Sequence, residues 1–494
     1  MYTCKKFLCA VRLLAVAGVL MGGWGLAHAG ADDIRTAAES EKSQVEADRD
    51  ALFGESGSLQ WLMQGISGPA GDPAESPVII SEPITTLDEG TYVSVLNEEG
   101  AVIFGSPMET YRIEMRGFVR HLAEGDSPGI DIRADGISLI NFIAGPRTEG
   151  EVIGEVTSSG AIYTEAAAME DAEARATGIA TTVTAFGTAE EGLAAVAESN
   201  VVNSGTIHAT ATGEDEAWAI GAHARVGSAA MDGVNVESVN LFTNSGRVYG
   251  VASGAEAMVD AIYSENIAVA MGGGNAVAIS IIGNSGTIHA ETSSVSGDVG
   301  FTTGISSDFR TSASHGGNAF VNSRISNSGT LYAGKSSDRA EAYGIYADIL
   351  ANAVGDLFVM NYEDAAGGGN TTISNLLENS GTIYIEADGG SASAGGIYSL
   401  IDADSSDGGN VSSHIAITNS GTIFVEADGE SARAAGMISI VAADAGGDGN
   451  ITVENTITNS GAIYSLANGD SNKAYGIYAD GSGSIANTGT IIAD

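Results

Sequence analysis

The chain has 494 residues, with 63 acidic side chains against 20 basic ones and a net charge of −43. Such a surface repels nucleic acid and anionic membrane, and nothing in the sequence forms a basic patch, so nucleic-acid partners are set aside. Sixty-eight glycines against seven prolines suit tight turns in a packed chain.

Residues 1–29 read as a secretory signal. Lys5, Lys6 and Arg12 form the positive start, residues 13–26 the apolar stretch, and Ala27-His28-Ala29 the small-residue cleavage site, with cutting expected between Ala29 and Gly30. The apolar stretch is too short to span a bilayer. Cys4 and Cys9 both lie inside this leader, so the mature chain is expected to have no cysteine and not to cross-link in an oxidising compartment. Residues 30–56 are polar and predicted to form a short exposed helix or coil. Residues 57–157 read as a β-rich cap with degenerate early coils. Within them, residues 91–95 and 101–104 flank Asn97-Glu98-Glu99-Gly100 as a predicted hairpin, and Gly129-Ile130 is the expected landmark of a worn coil.

From residue 158 to 494 one motif recurs. Asn-Ser-Gly-Thr-Ile, or a near copy, places its glycine at Gly160, Gly205, Gly246, Gly286, Gly329, Gly381, Gly421, Gly461 and Gly489. The steps are 45, 41, 40, 43, 52, 40, 40 and 28 residues. A period of this size implies stacked units, each burying its apolar face on the next. The 40-residue unit divides into segments of 15, 14 and 11, with a Gly-Ile-type landmark (Gly396, Gly436) and a Gly-Asn turn (Asn410, Asn450) between motifs. The long and short units differ from it by twelve residues, an even change that preserves side-chain faces in a strand.

Two residues after each motif glycine stands a branched aliphatic, from Ile162 to Ile491, and the next position is mostly aromatic, from Tyr163 to Tyr464, with His208 and His289 among them. Period-two alternation sends the first column inward and the second outward. Asparagines from Asn203 to Asn487 form a third column, suited to stacking amides at a corner where Asn and Gly accept left-handed backbone. The expectation is an all-β, right-handed parallel β-helix of about nine or ten coils with an N-terminal cap, its hand taken from the preference of parallel crossovers.

The run Ala474-Tyr475-Gly476-Ile477-Tyr478, followed by Asn487-Thr488-Gly489-Thr490-Ile491, resembles the repeats of Gram-negative autotransporter passenger domains. The resemblance covers roughly residues 150–494. It implies export via Sec, then passage to the cell surface or medium through an outer-membrane β-barrel translocator, and a role as adhesin or display scaffold toward a host or cell-surface ligand. No run of barrel strands follows the repeats in this sequence, so the translocator is expected to be missing from this chain or separate.

Candidate chemistry is sparse. Gly125-Asp126-Ser127-Pro128-Gly129 comes nearest to a serine-protease nucleophile loop, but Pro128 lacks the N–H an oxyanion hole needs. The mature histidines, His121, His208, His223, His289, His315 and His414, have no Ser/Asp partner by spacing. Carboxylates are the sharper case: Glu386 and Glu426, Asp388 and Asp428, and Asp404 and Asp444 share offsets from their landmarks and are expected in register on neighbouring coils. Glu386, Asp388, Glu426 and Asp428 are weak metal candidates. The reading preferred is a solvated acidic face without cofactor, with Ca²⁺ or a polysaccharide-cleaving carboxylate pair as the alternative. The aromatic column is read as a stabilising stack rather than a sugar platform. The chain is expected to be non-catalytic.

Overall fold

The alternation along each repeat becomes 32 strands, which pair in parallel into three sheets. This computed structural model describes residues 78–80, 84–86, 90–96, 109–124, 132–145, 150–168, 172–187, 194–231, 233–294, 299–354, 369–406, 408–480 and 483–494. The leader with its Ala29–Gly30 cleavage site, residues 30–56, residues 101–104, Gly125-Asp126-Ser127-Pro128-Gly129 and Gly129-Ile130 lie outside these. Sheet I runs from Val78–Ile80 to Gly483–Asn487 and sheet II from Ile84–Thr86 to Thr490–Ala493, each with 11 strands. Sheet III runs from Gly90–Leu96 to Ser471–Asp480 with 10. Each coil adds one strand to every sheet, giving ten full coils and two strands of an eleventh. The architecture is a parallel β-helix. Gly90–Leu96, which holds one half of the expected hairpin, pairs in parallel with Ile132–Gly145, and the other half lies outside the described residues.

The motif builds one corner of every coil. Its asparagine ends a sheet I strand and its isoleucine sits second in the following sheet II strand, as in Val411–Asn419 and Thr422–Asp428. Eight of the nine motif aliphatics, Ile162 through Ile463, are fully buried. Burying each contributes about 1.5–3 kcal/mol. The motif glycine has a different cause from the one expected. Left-handed glycines among the described residues are Gly233, Gly272, Gly273, Gly316, Gly408, Gly447 and Gly469, and no motif glycine is among them. A Cβ on Gly421 would instead lie 2.0 Å from the carbonyl oxygen of Gly381, one coil back. The corner packs backbone on backbone, and only hydrogen fits between. The same close approach, 1.9 Å, relates Gly160 to Gly117 and reveals a tenth copy, Arg116-Gly117-Phe118-Val119.

The Gly-Ile landmark is a bend inside each long sheet III strand. Pairing between neighbouring strands keeps one register but skips from Gly395↔Ala435 to Ile397↔Met437, leaving the landmark glycines as the pivot. A Cβ on Gly436 would meet Ile463 Cγ2 at 2.3 Å, so the landmark of one coil makes room for the motif isoleucine of the next. The first glycine at such a bend among the described residues is Gly136, since Gly136 meets Ile162 and Ile137 pairs with Ile179, whereas the expected Gly129-Ile130 lies outside them. The parity argument for the 52-residue unit is also corrected. Its strands Arg339–Val354 and Thr371–Asn379 pair residue for residue with their neighbours, so the extra twelve residues lie in the connection between sheets, where parity has no bearing. In the last unit the loss shortens the strands Ser471–Asp480 and Gly483–Asn487, which uncovers Ile451 to 49% exposure.

Two asparagine ladders run along the helix. In the inner one each Nδ2 donates to Oδ1 of the next coil at 2.8 Å, from Asn203→Asn244 to Asn459→Asn487. In the outer one each Nδ2 and backbone N–H donates to Oδ1 of the preceding coil, from Asn275→Asn235 to Asn450→Asn410. The interior also holds polar contacts that the aliphatic columns did not announce. Asn240 donates to Ser264 at 2.8 Å and Asn375 to Ser399 at 2.9 Å, both between sheets I and III.

One interior position breaks the pattern. Lys335 occupies a sheet II column held by alanine in Ala387, Ala427 and Ala467, and it is fully buried. Among the described residues its Nζ has no hydrogen-bond partner. It reaches across to Gly300, where a Cβ would sit 1.1 Å from Nζ and where flanking coils carry Ala257 and Ala340. Burial lowers the amine from 10.5 to about 8, against a smaller opposing pull from Glu341.

Candidate functional site: acidic and aromatic outer faces

Sheet II presents the expected aromatic column on its outer face. Tyr163, His208, Tyr249, His289, Tyr332, Tyr384, Phe424 and Tyr464 form a continuous series with ring centroids 4.7–6.2 Å apart. Tyr332 and Tyr384 are parallel to within 4°. Although it points away from the core, the column is largely closed: Tyr332 is 2% exposed and Tyr384 1%. The four buried rings, Tyr163, Tyr249, Tyr332 and Tyr384, offer no free face to a ligand, whereas His208, His289, Phe424 and Tyr464 remain partly exposed.

The predicted carboxylates are brought into register. Glu386 pairs with Glu426 and Asp388 with Asp428 on sheet II, and Asp404 with Asp444 on sheet III. Their environments then diverge. Glu386 is buried, Asp388 half-buried and Asp428 exposed. Asp388 is raised by burial and then by Asp428, and Asp404 by burial, then Asp402 and Asp444. Tyr384 Oη donates to Glu426 at 3.4 Å, which ties one carboxylate to the ring stack. Among the described residues no group of three His, Cys, Asp or Glu side chains converges as a metal site.

The histidines are dispersed. His208 and His289 belong to the sheet II stack, and His289 Nε2 lies 3.2 Å from Glu291. His414 faces Glu454 at 3.2 Å on the exposed side of sheet I. His315 adopts a left-handed turn conformation, φ 56°. His223 stacks on Tyr263 at 4.9 Å on sheet III, and burial with the nearby Arg175, Arg225 and Arg133 lowers it to about 4, which keeps it neutral. The His121 side chain lies outside the described side chains.

A second aromatic face, on sheet III, escaped the sequence reading. Phe301, Tyr343, Tyr346 and Tyr398 form one cluster over three coils, with centroid distances of 5.2–5.9 Å. Farther along, Arg433 lies over Tyr475 and Tyr478 at 5.7 and 5.6 Å. The tyrosines flank the landmark bend, one residue before the glycine or two after it, and Phe301 stands three before Gly304. The signal was visible as Ala-Tyr-Gly-Ile-Tyr at residues 342–346 and 474–478. These rings are half-buried rather than closed. Beside them, Asp308, Asp348 and Asp402 rise on the same outer face, and Arg310 Nη2 donates to Asp308 at 3.1 Å. Asp348 is raised by burial and then by Asp308. Asp260, near the same bend, is pushed up to about 7 by burial, opposed by the Thr303 hydroxyl beside it.

Comparison with protein families, with curated proteins and with solved structures finds no match for this chain. The reading of function therefore rests on its own residues.

Proposed function

We propose that this chain is the exported rod of an autotransporter-type surface protein, a non-catalytic adhesin or display scaffold delivered through an outer-membrane β-barrel. The inner asparagine ladder carries the proposal: seven successive amide bonds link eight coils without interruption. A chain in which each coil templates the next can order progressively as it emerges from a pore, and its length grows without a new core. The interior repeats closely while the outer faces vary, which is the arrangement expected of a scaffold that presents side chains along its length. The leader and the cysteine-free mature sequence support export in an unfolded, uncross-linked state.

The test is accessibility on intact cells producing the full-length protein with an epitope inserted at the Asp448 turn. Surface immunolabelling and digestion by external protease are expected. An epitope protected until the outer membrane is permeabilised would overturn the proposal.

A further inference from the structure

We infer that the outer face of sheet III, between Phe301 and Asp402, is a subsite for an uncharged linear glycan. The inference deepens the surface-display reading and rests on it, because that reading is what brings external glycans to this face.

Sugar rings present two kinds of surface: flat patches of C–H, and edges crowded with hydroxyls. The face supplies a partner for each. Phe301, Tyr343, Tyr346 and Tyr398 make a contiguous aromatic patch, in which Tyr346 and Tyr398 stack on each other at 5.2 Å and 14° and Tyr343 meets Tyr398 edge-on. The patch is built rather than accidental. A Cβ on Gly395 would lie 2.7 Å from Tyr343 Cδ1, so a glycine on the next coil gives the Tyr343 ring its seat. Alongside runs an open groove of about 400 Å³ lined by Asp308, Arg310, Asp348, Leu350, Leu400 and Asp402. Leu350, 38% exposed, gives it an apolar floor. The carboxylates accept from paired hydroxyls and the guanidinium donates to them, while aromatic and aliphatic groups cover the C–H patches.

Charge selects among glycans. Three carboxylates face one guanidinium, and Arg310 is already engaged by Asp308 at 3.1 Å. An acidic polysaccharide meets repulsion here, in a chain of net charge −43. A compact cation finds no converging set of three ligands. The apolar floor and half-buried rings favour a neutral body with hydroxyl edges. Because columns repeat at about 4.8 Å per coil, the features line up along the helix axis, which suits an extended chain over a single sugar.

The experiment uses the mature chain and titrates it calorimetrically with cellohexaose, laminarihexaose, maltohexaose and N-acetylated chitohexaose. Polygalacturonate and chitosan serve as anionic and cationic comparators. Saturable binding of at least one neutral hexamer is expected, little changed by high salt. Tyr346→Ala and Tyr398→Ala should each weaken it about tenfold, equivalent to about 1.4 kcal/mol. Tyr398→Leu tests the ring with volume largely kept, and thermal melting checks that each variant is folded. Phe424→Leu, on the sheet II face, should bind as the parent does. The inference is overturned by any of three results: no neutral hexamer binds, folded Tyr346 and Tyr398 variants bind unchanged, or only chitosan binds and salt abolishes it. Surface labelling on cells reads the underlying proposal separately, so a surface-exposed rod that binds no hexamer sinks the glycan subsite alone.

Discussion

The two asparagine ladders use the same side chain at the same coil-to-coil interval, yet they live in opposite environments. Asn203 to Asn459 are at most 2% exposed, whereas Asn235, Asn275, Asn318, Asn370, Asn410 and Asn450 are bonded at the exposed surface. Inside, an amide that loses its neighbour has nothing to replace it. Outside, water takes over at little cost. The difference teaches that repetition in this chain has two grades: an obligatory inner corner, and an outer turn that the sequence repeats for geometry.

The comparison breaks first at the inner corner's glycine. Gly421→Ala would place Cβ 2.0 Å from the Gly381 carbonyl oxygen and 2.7 Å from the Ser380 carbonyl carbon. Backbone would have to move in two coils, and a loss of about 4 kcal/mol or more is expected in denaturant unfolding. A loss below about 1 kcal/mol would show that the corner is soft. Next comes the ladder itself. Asn419→Ala strands the Asn379 Nδ2 donor and the Asn459 Oδ1 acceptor in the interior. At about 1–3 kcal/mol for each unsatisfied group, the expected destabilisation is about 3 kcal/mol. A melting curve that matches the parent's would contradict the obligatory inner ladder.

Lys335 sharpens the contrast from the other side, as an interior polar group that no ladder satisfies. Its folded value of about 8 lies below the 10.5 of the free amine, so between these values the unfolded chain binds more protons than the folded one. The Lys335 contribution to stability is therefore lowest below pH 8 and rises as pH climbs from 8 to 10.5. At about 1.4 kcal/mol per unit the cost at neutral pH is about 3 kcal/mol. Lys335→Met should raise the melting temperature at neutral pH, and the gain should shrink as pH rises through that window. A gain independent of pH would locate the cause in packing rather than charge. Smaller still, Asn410→Ala on the outer ladder should cost under about 1 kcal/mol. The smallest effect is expected from Ca²⁺: titration of the mature chain should leave its melting temperature nearly unchanged. A large saturable rise, abolished by Glu426→Gln with Asp428→Asn, would make the acidic face of sheet II a cation site.

What was legible in the sequence follows from what a single coil and its repetition determine. The alternation around Ile423 and Phe424 was readable from residues a few positions apart, and the asparagine column and the parallel stack from the regular return of the motif. Equal offsets were enough to put Glu386 beside Glu426. The unequal burial of Asp388 and Asp428 was not readable, since it depends on what neighbouring coils place around each. For the same reason the glycines were recognised but misexplained: Gly421 is required by a carbonyl one coil away rather than by its own φ. Lys335 against Gly300 and Tyr343 over Gly395 are likewise paired exceptions between coils, invisible to any periodicity. The aromatic face of sheet III had a plain signature in Ala-Tyr-Gly-Ile-Tyr. It was overlooked because the tyrosines there flank a bend, so they share a face without the even spacing that marks a strand.

The opposed donation of the two ladders has an electrical consequence. Amide dipoles pointing one way along an axis add, as peptide dipoles do in an α-helix, and would leave a field that concentrates at the two ends. Here the inner amides donate toward the C-terminal end and the outer ones toward the N-terminal end. Their moments oppose coil by coil. Where both ladders run, lengthening the stack therefore adds little end-to-end polarity from its asparagines.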